Sequence, residues 1–121
     1  MNTNTTTIRR GDIFFAELPE VEGSVYHSFR PILIISNNMN NTHSKTITAI
    51  PMTSRLSKNH LPTHVYIEGR KNGLPKDSII MAENISNYSV TILRKWIGSI
   101  PENSTEMRAI EKAVKIQIAV D

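Results

Sequence analysis

The stretch HSFRPILIIS, residues 27–36, decides how the chain is read. Ile32 to Ile35 is an unbroken apolar run of strand length, and a strand without polar alternation is covered on both faces. Arg30 precedes Pro31, whose ring drives the residue before it into extended backbone, so the strand opens on a cation with a restricted direction. A guanidinium stays charged and offers a fork of donors that fits two phosphate oxygens at once. On local sequence alone a second reading stands beside that one: an edge charge that discourages association of the apolar strand.

Working outward, RRGDIFFAEL predicts a strand around Ile13, Phe14 and Phe15, which Pro19 and Gly23 end, with a long loop running to Phe29. After PILIIS, NNMNNTHS is turn-like or one short helical turn. KTITAIPMTS reads as a strand in which Pro51, lacking an N–H, implies an edge or a bulge. HVYIE is a short alternating strand, GRKNGLPKD a loop, SIIMAENI a second buried run, and RKWIGSI, after a polar turn, a last strand that Pro101 stops. One long helix closes the chain. Asn103 stands three residues before Glu106 in a capping-box pattern, and Met107, Ile110, Val114 and Ile118 follow at helical spacing. The expected class is mainly β with a carboxy-terminal helix: about six short strands in a strongly bent antiparallel sheet or partly open barrel. Residues 1–7 predict a disordered tail and residues 8–121 a single domain.

The totals set bounds. In 121 residues there are no cysteines, which removes disulfides, thiolate chemistry and cysteine-bound metal centres. No run reaches the roughly 18 apolar residues of a membrane span, and MNTNTTTIRR lacks the apolar stretch of a secretory signal, so a cytoplasmic protein is expected. Charge is uneven. Between Glu22 and Glu68 there is no acidic residue, while Arg30, Lys45, Arg55 and Lys58 lie there together with His27, His43, His60 and His64. That interval is +4, whereas the rest, with 10 basic and 11 acidic residues, is −1. Such asymmetry fits a polyanion on one face, or else a solvated face offset by carboxylates from elsewhere in the fold.

Four positions carry candidate chemistry. Thr53 ends a strand just before the basic loop RLSKNH, where its hydroxyl can donate to a phosphate oxygen. Glu83 interrupts the buried run SIIMAENI and needs a partner, for which Arg30 is available; it is either half of a structural ion pair or an acid–base group with a shifted pKa. His60 and His64 are four apart, but Pro62 between them breaks the helix that would aim both imidazoles at one metal, so no metal site is expected. A Gly-rich phosphate loop and a nucleophile elbow are both missing from the sequence, which leaves nucleotide hydrolysis and esterase chemistry unsupported.

Taken in order, the blocks RRGDIFFAEL, FRPILIIS, MTS, LPTHVYI and DSIIMAENI resemble those of the MazF/PemK/Kid toxins of bacterial toxin-antitoxin pairs, and most closely the branch from Gram-positive bacteria. The likeness runs from about Ile8 to Val120. It implies an SH3-like barrel, a homodimer, neutralisation by an antitoxin with a disordered acidic tail, and sequence-specific cleavage of single-stranded RNA without metal or cofactor. The family's arginine falls on Arg30, its threonine on Thr53, and the acidic residue of its later pair on Glu83, with Asn84 where glutamine is usual. Cleavage of this kind proceeds by attack of a ribose 2′-hydroxyl on its own 3′-phosphate, and Arg30 and Thr53 stabilise the charge that grows on the phosphorane.

One loop departs from the pattern. Before the arginine, Val25, Tyr26, His27 and Ser28 replace the family's Glu-Gln-Gly-Gly. Either His27 has taken over proton transfer, with Tyr26 and Phe29 as stacking faces for bases, or the site binds without cutting. The expected RNA-binding set is Tyr26, Ser28, Phe29, Ser54, Arg55, Lys58 and Asn84. A different class stays open as well: a non-enzymatic toxin on the same barrel that binds a protein such as DNA gyrase through the end of the last helix, as the related CcdB proteins do.

Overall fold

In the computed structural model, which describes residues 7–19, 28–56 and 61–121 and of Ser28 the backbone alone, Ile32, Leu33 and Ile34 are completely buried. Both sides of the run are covered, as its lack of alternation requires. The elements follow in the order β1 Asp12–Leu18, β2 Ser28–Ile34, α1 Asn38–His43, β3 Thr46–Thr53, β4 His64–Ile67, α2 Gly69–Asn72 and β5 Ser78–Met81. A 3-10 turn Ala82–Asn84, β6 Ser86–Ser89, a second 3-10 turn Val90–Ile92, β7 Leu93–Ser99 and α3 Thr105–Gln117 complete them. Every strand pairing is antiparallel, in the order β4-β5-β3-β2-β1-β7, with β6 also on β3.

That pairing forces the sheet to roll up. Strand β6 lies beside β3 and β7 beside β1, so on a flat sheet they would be about 19 Å apart, four strand spacings. Yet only Val90–Ile92 joins them, and three residues of 3-10 turn rise by roughly 6 Å. Strands β3, β2, β1, β7 and β6 therefore curl around an interior. Phe14, Ala16, Ile32, Ile34, Ile47 and Ala49 fill it, roofed by half-buried Leu18, Tyr88, Val90, Ile92 and Leu93. Residues of opposite pleat, Ile13, Leu33, Ile50 and Met52, join Ile67, Leu74, Ile80, Ile100, Met107 and Ile110 in a second cluster beneath α3.

Several expectations are refined. There are seven strands among the described residues, because Ser86–Ser89, read as a polar turn, pairs with Thr46–Ala49. Only Tyr88 of its four residues is packed against the interior, so the strand has no apolar alternation to show. Pro51 lies in neither an edge nor a bulge. It faces Ile32 across β2, where β3 exchanges one partner, β6 at 46–49, for another, β5 at 52–53, so the missing N–H falls in the gap between two ladders. Part of GRKNGLPKD forms α2, closed by Gly73 at φ 87°.

Helix α3 is capped one residue later than expected. Ser104 Oγ accepts from Met107 N–H at 3.0 Å, Asn103 sits at φ 64°, and Glu106 accepts from Lys71 Nζ at 2.8 Å. Met107, Ile110 and Ala113 are buried and Val114 is half-buried, but Ile118 lies past the helix end and is exposed. Arg10 ties the two ends of the chain together. Its Nε donates to Ile35 O at 3.3 Å, and its guanidinium pairs with Glu102 and, at 2.8 Å, with Glu111. The neighbouring Gly11 has φ 96°, and a Cβ there would meet Ile100 O at 2.6 Å, so no other residue fits between β2 and the strand leading to α3. The expected tail falls almost wholly on residues 1–6, which lie outside the described residues, as does the loop 20–27.

Candidate functional site

Strand β2 carries its apolar side chains to two destinations by alternation: Leu33 under α3, Ile32 and Ile34 into the barrel. Two residues before Ile32, on the same side of the pleat, stands Arg30, opposite Ala16 of β1 and half-buried at the end of the interior cluster. On β3 the corresponding step from Pro51, the residue facing Ile32, leads to Thr53. The two ladders part there. Arg30 stays with β1 while Met52 and Thr53 pair with Ile80 and Ile79 of β5. Arg30 and Thr53 thus flank the point where β2 and β3 separate, with side chains on one side of the sheet.

Thr53 Oγ1 accepts from Arg55 N–H at 3.1 Å. That bond fixes the hydroxyl and occupies it as an acceptor, leaving its own O–H to donate outward. Ser54 and Arg55 follow, both exposed. Phe29 lies on the opposite pleat from Arg30. It stacks on Phe15 with ring centroids 6.1 Å apart and an interplanar angle of 18°, and remains 54% exposed, so one aromatic face is open to solvent. Tyr26, His27, Lys58 and His60 lie outside the described residues, as does the side chain of Ser28.

Glu83 is not where the sequence suggested. Strand β5 ends at Met81, and Glu83 stands on the following 3-10 turn, half-buried. Its carboxylate is held by Thr63 and His64, not by Arg30: Thr63 Oγ1 donates to Oε1 at 2.7 Å and His64 Nε2 meets Oε2 at 2.8 Å. Burial, the largest single influence, pushes the carboxyl pKa up. The hydrogen bonds from Thr63, His64 and its own backbone N–H, with the attraction of the imidazole, together outweigh it and hold the group below the usual glutamate range. His64 and Thr63 are the partners that sequence reasoning missed. The pairing of β4 with β5 sets His64 opposite Met81, two residues from Glu83, and no spacing in the sequence announces it. Asn84 is exposed, with Nδ2 3.8 Å from Met81 Sδ.

Among the described residues, the cations of the basic interval are spread along the length of β3. Lys45 and Arg55 lie beyond opposite ends of β3, eight residues and about 26 Å long, and His43 sits in the last turn of α1. What is local is smaller: Arg30, Thr53 and Arg55 around the parting of β2 and β3. Among the described residues no helix is long and apolar enough to cross a membrane.

Solved structures resemble this fold along nearly its whole length. The toxin MazF-mt6 from Mycobacterium tuberculosis superposes with a TM-score of 0.74 at 24% identity, covering 91% of this chain and 98% of that one. An endoribonuclease in complex with its cognate antitoxin, from a mycobacterial species, gives 0.74 at 22% identity over 94% and 97% of the two chains. MazF from Deinococcus radiodurans gives 0.77 at 16% identity over 95% and 99%. At such identities the likeness establishes the architecture: the rolled antiparallel sheet with a carboxy-terminal helix is a MazF-type fold. Residues 9–118 also match the family model described as PemK-like, MazF-like toxin of type II toxin-antitoxin system. With that match covering all seven strands and the terminal helix, the chain belongs to the PemK-like, MazF-like toxins of type II toxin-antitoxin systems.

Proposed function

We propose that this toxin is an endoribonuclease that cuts single-stranded RNA at a preferred sequence without a metal ion or cofactor. One observation carries the reading: a guanidinium and a pre-oriented hydroxyl, Arg30 and Thr53, flank the point where β2 and β3 part. A relative of the same fold is an endoribonuclease, which supports the substrate class.

In the reaction the ribose 2′-oxygen attacks the adjacent phosphorus and the bond from phosphorus to the 5′-oxygen breaks. The products are a 2′,3′-cyclic phosphate and a free 5′-hydroxyl; the 2′-hydroxyl gives up a proton and the departing 5′-oxygen gains one. Arg30 takes two non-bridging oxygens through its fork and Thr53 donates to one of them, so both bind the phosphorane better than the ground state. Each such donor is worth about 3 to 4 kcal/mol of barrier in a preorganised site. His27, three residues before Arg30, is the proposed proton carrier because imidazole titrates near neutrality. Glu83, with both oxygens engaged, serves as the anchor of β4 and not as the base. Phe29, Ser28, Ser54, Arg55, Lys58, Asn84 and Tyr26 supply the contacts along the strand.

The remaining parts of the reading are a single domain over residues 8–121, a cytoplasmic homodimer, and silencing by an antitoxin whose acidic tail covers the same basic site. Exposed Ile116, Ile118 and Val120 offer apolar surface for protein contact at the end of α3. The test is incubation of the purified protein with single-stranded RNA in excess chelator, followed by analysis of the fragment ends. Fragments with 5′-hydroxyl and cyclic phosphate ends are expected, and intact RNA overturns the proposal. Toxicity that survives loss of Arg30 but not changes at Val120 would favour the protein-binding toxin instead.

A further inference from the structure

Strand β4 ends the sheet: among the described residues only β5 pairs with it. One bond fixes which of its backbone groups look outward. Ala82 N–H donates to Thr63 O at 2.9 Å, so the backbone of Thr63 faces the β5 side, and by alternation so do Val65 and Ile67. The N–H and C=O of Tyr66 therefore point away from the sheet, and among the described residues no backbone group bonds them. Helix α3 runs beside this open edge. Between the two lies a groove of about 430 Å³, where Val65 and Tyr66 stand against Ala109, Lys112, Ala113 and Ile116. Tyr66 is 56% exposed, and its hydroxyl donates to Asp77 at 2.8 Å, so this wall of the groove is held in place before anything enters.

Charge selects the occupant. The two carboxylates of α3 are engaged elsewhere, Glu106 with Lys71 and Glu111 with Arg10. Lys112, exposed in the groove, makes no ion pair among the described residues, and no carboxylate lines the groove with it. A second copy of this chain docking by a two-fold axis would bring flanks of like charge together with no acid to answer them. We propose that the groove receives an extended acidic and apolar segment of the antitoxin as an added strand on β4. Its backbone pairs with Tyr66, alternate apolar side chains rest on Ala109, Ala113 and Ile116, and a carboxylate meets Lys112. This rests on the toxin-antitoxin reading above. The contact is separate from the RNA site, because neither Arg30, Thr53 nor Arg55 lines the groove. An antitoxin held here keeps its grip while RNA competes for those residues, and its tethered tail meets them at an effective concentration of roughly millimolar order.

The test uses the full-length toxin, alone and with its cognate antitoxin, and follows amide hydrogen exchange residue by residue by NMR. In the complex the Tyr66 amide is expected to exchange at least about tenfold more slowly than in the free toxin. Two variants at exposed positions address the groove itself: Lys112→Glu reverses its charge and Ala109→Trp fills it. Each is expected to weaken antitoxin binding about tenfold or more while the free toxin melts within a few degrees of the parent. Should Ala109→Trp prove unstable, Tyr66 exchange and Lys112→Glu decide. Unchanged Tyr66 exchange in the complex, or parental affinity in Lys112→Glu, overturns the proposal and leaves the toxin-antitoxin reading standing. Tyr66 protection that grows with the concentration of free toxin assigns the groove to a second copy, and protection by an RNA oligomer alone assigns it to the substrate; either overturns the proposal. An antitoxin that does not bind the parent at all overturns both.

Discussion

The two apolar clusters of this molecule end in different chemistry, although β2 feeds both by simple alternation of its side chains. Beneath α3, the cluster around Ile80, Met107 and Ile110 is bordered by pairs that satisfy each other: Glu83 with Thr63 and His64, Lys71 with Glu106, Arg10 with Glu102 and Glu111. Inside the barrel, the cluster around Ile32 and Ile34 ends at Arg30, beside Thr53, where β2 and β3 part. Charges that close on one another stabilise a fold and have little left for a ligand. Where the two ladders separate, a guanidinium and a hydroxyl stand together on one side of the sheet, an arrangement that suits a phosphate. The comparison predicts that stability and RNA cleavage respond to different residues.

The largest effect should come from the cluster beneath the helix. Ile110→Ala, at a fully buried position, is expected to cost about 2 to 5 kcal/mol in denaturant unfolding, with cleavage per folded molecule unchanged. Next, Thr53→Val keeps the shape and removes the donor. It should slow cleavage about a hundred- to a thousandfold, roughly 3 to 4 kcal/mol, and shift stability by less than about 1 kcal/mol. Glu83→Gln reverses the pattern, with about 1 kcal/mol lost in unfolding and cleavage within a few-fold of the parent. A hundredfold loss of cleavage there would break the division between the two regions and return Glu83 to the chemistry.

The smallest effect is the dependence on acid. Because the Glu83 carboxyl is held below its ordinary range, it binds fewer protons folded than unfolded at mildly acid pH. Its contribution is therefore full above the usual glutamate range and is lost as pH falls through the depressed value. Melting temperature recorded from neutrality into that range should fall less steeply in Glu83→Gln than in the parent.

How much of this was legible follows from which residues report on their surroundings. Continuous burial wrote itself into PILII, and helical spacing into Met107, Ile110 and Val114, so β2 and α3 were readable. Strand β6 was not, because Ser86, Asn87 and Ser89 are exposed and Tyr88 alone reports the interior. Pro51 signalled an interrupted ladder, but only the pairing of β3 with β5 and β6 shows that the interruption is a fork. The extended backbone of Arg30 followed from the proline after it, but β2 begins two residues earlier, so Arg30 lies within the ladder with β1 and only its ladder with β3 ends there. Its company did not: Thr53 is 23 residues away in sequence, and the antiparallel pairing of β2 with β3 brings it near. Glu83 was rightly marked as needing a partner and wrongly matched, since a carboxylate does not announce in sequence which of two strands it will face.

The central proposal is that Arg30 acts on the phosphate during cleavage. Its most direct test compares Arg30→Ala with the parent on single-stranded RNA in chelator, with melting recorded on the same samples. A loss of cleavage of about a hundred- to a thousandfold with a melting temperature within a few degrees is predicted. Cleavage at the parental rate, with the same ends, would contradict it.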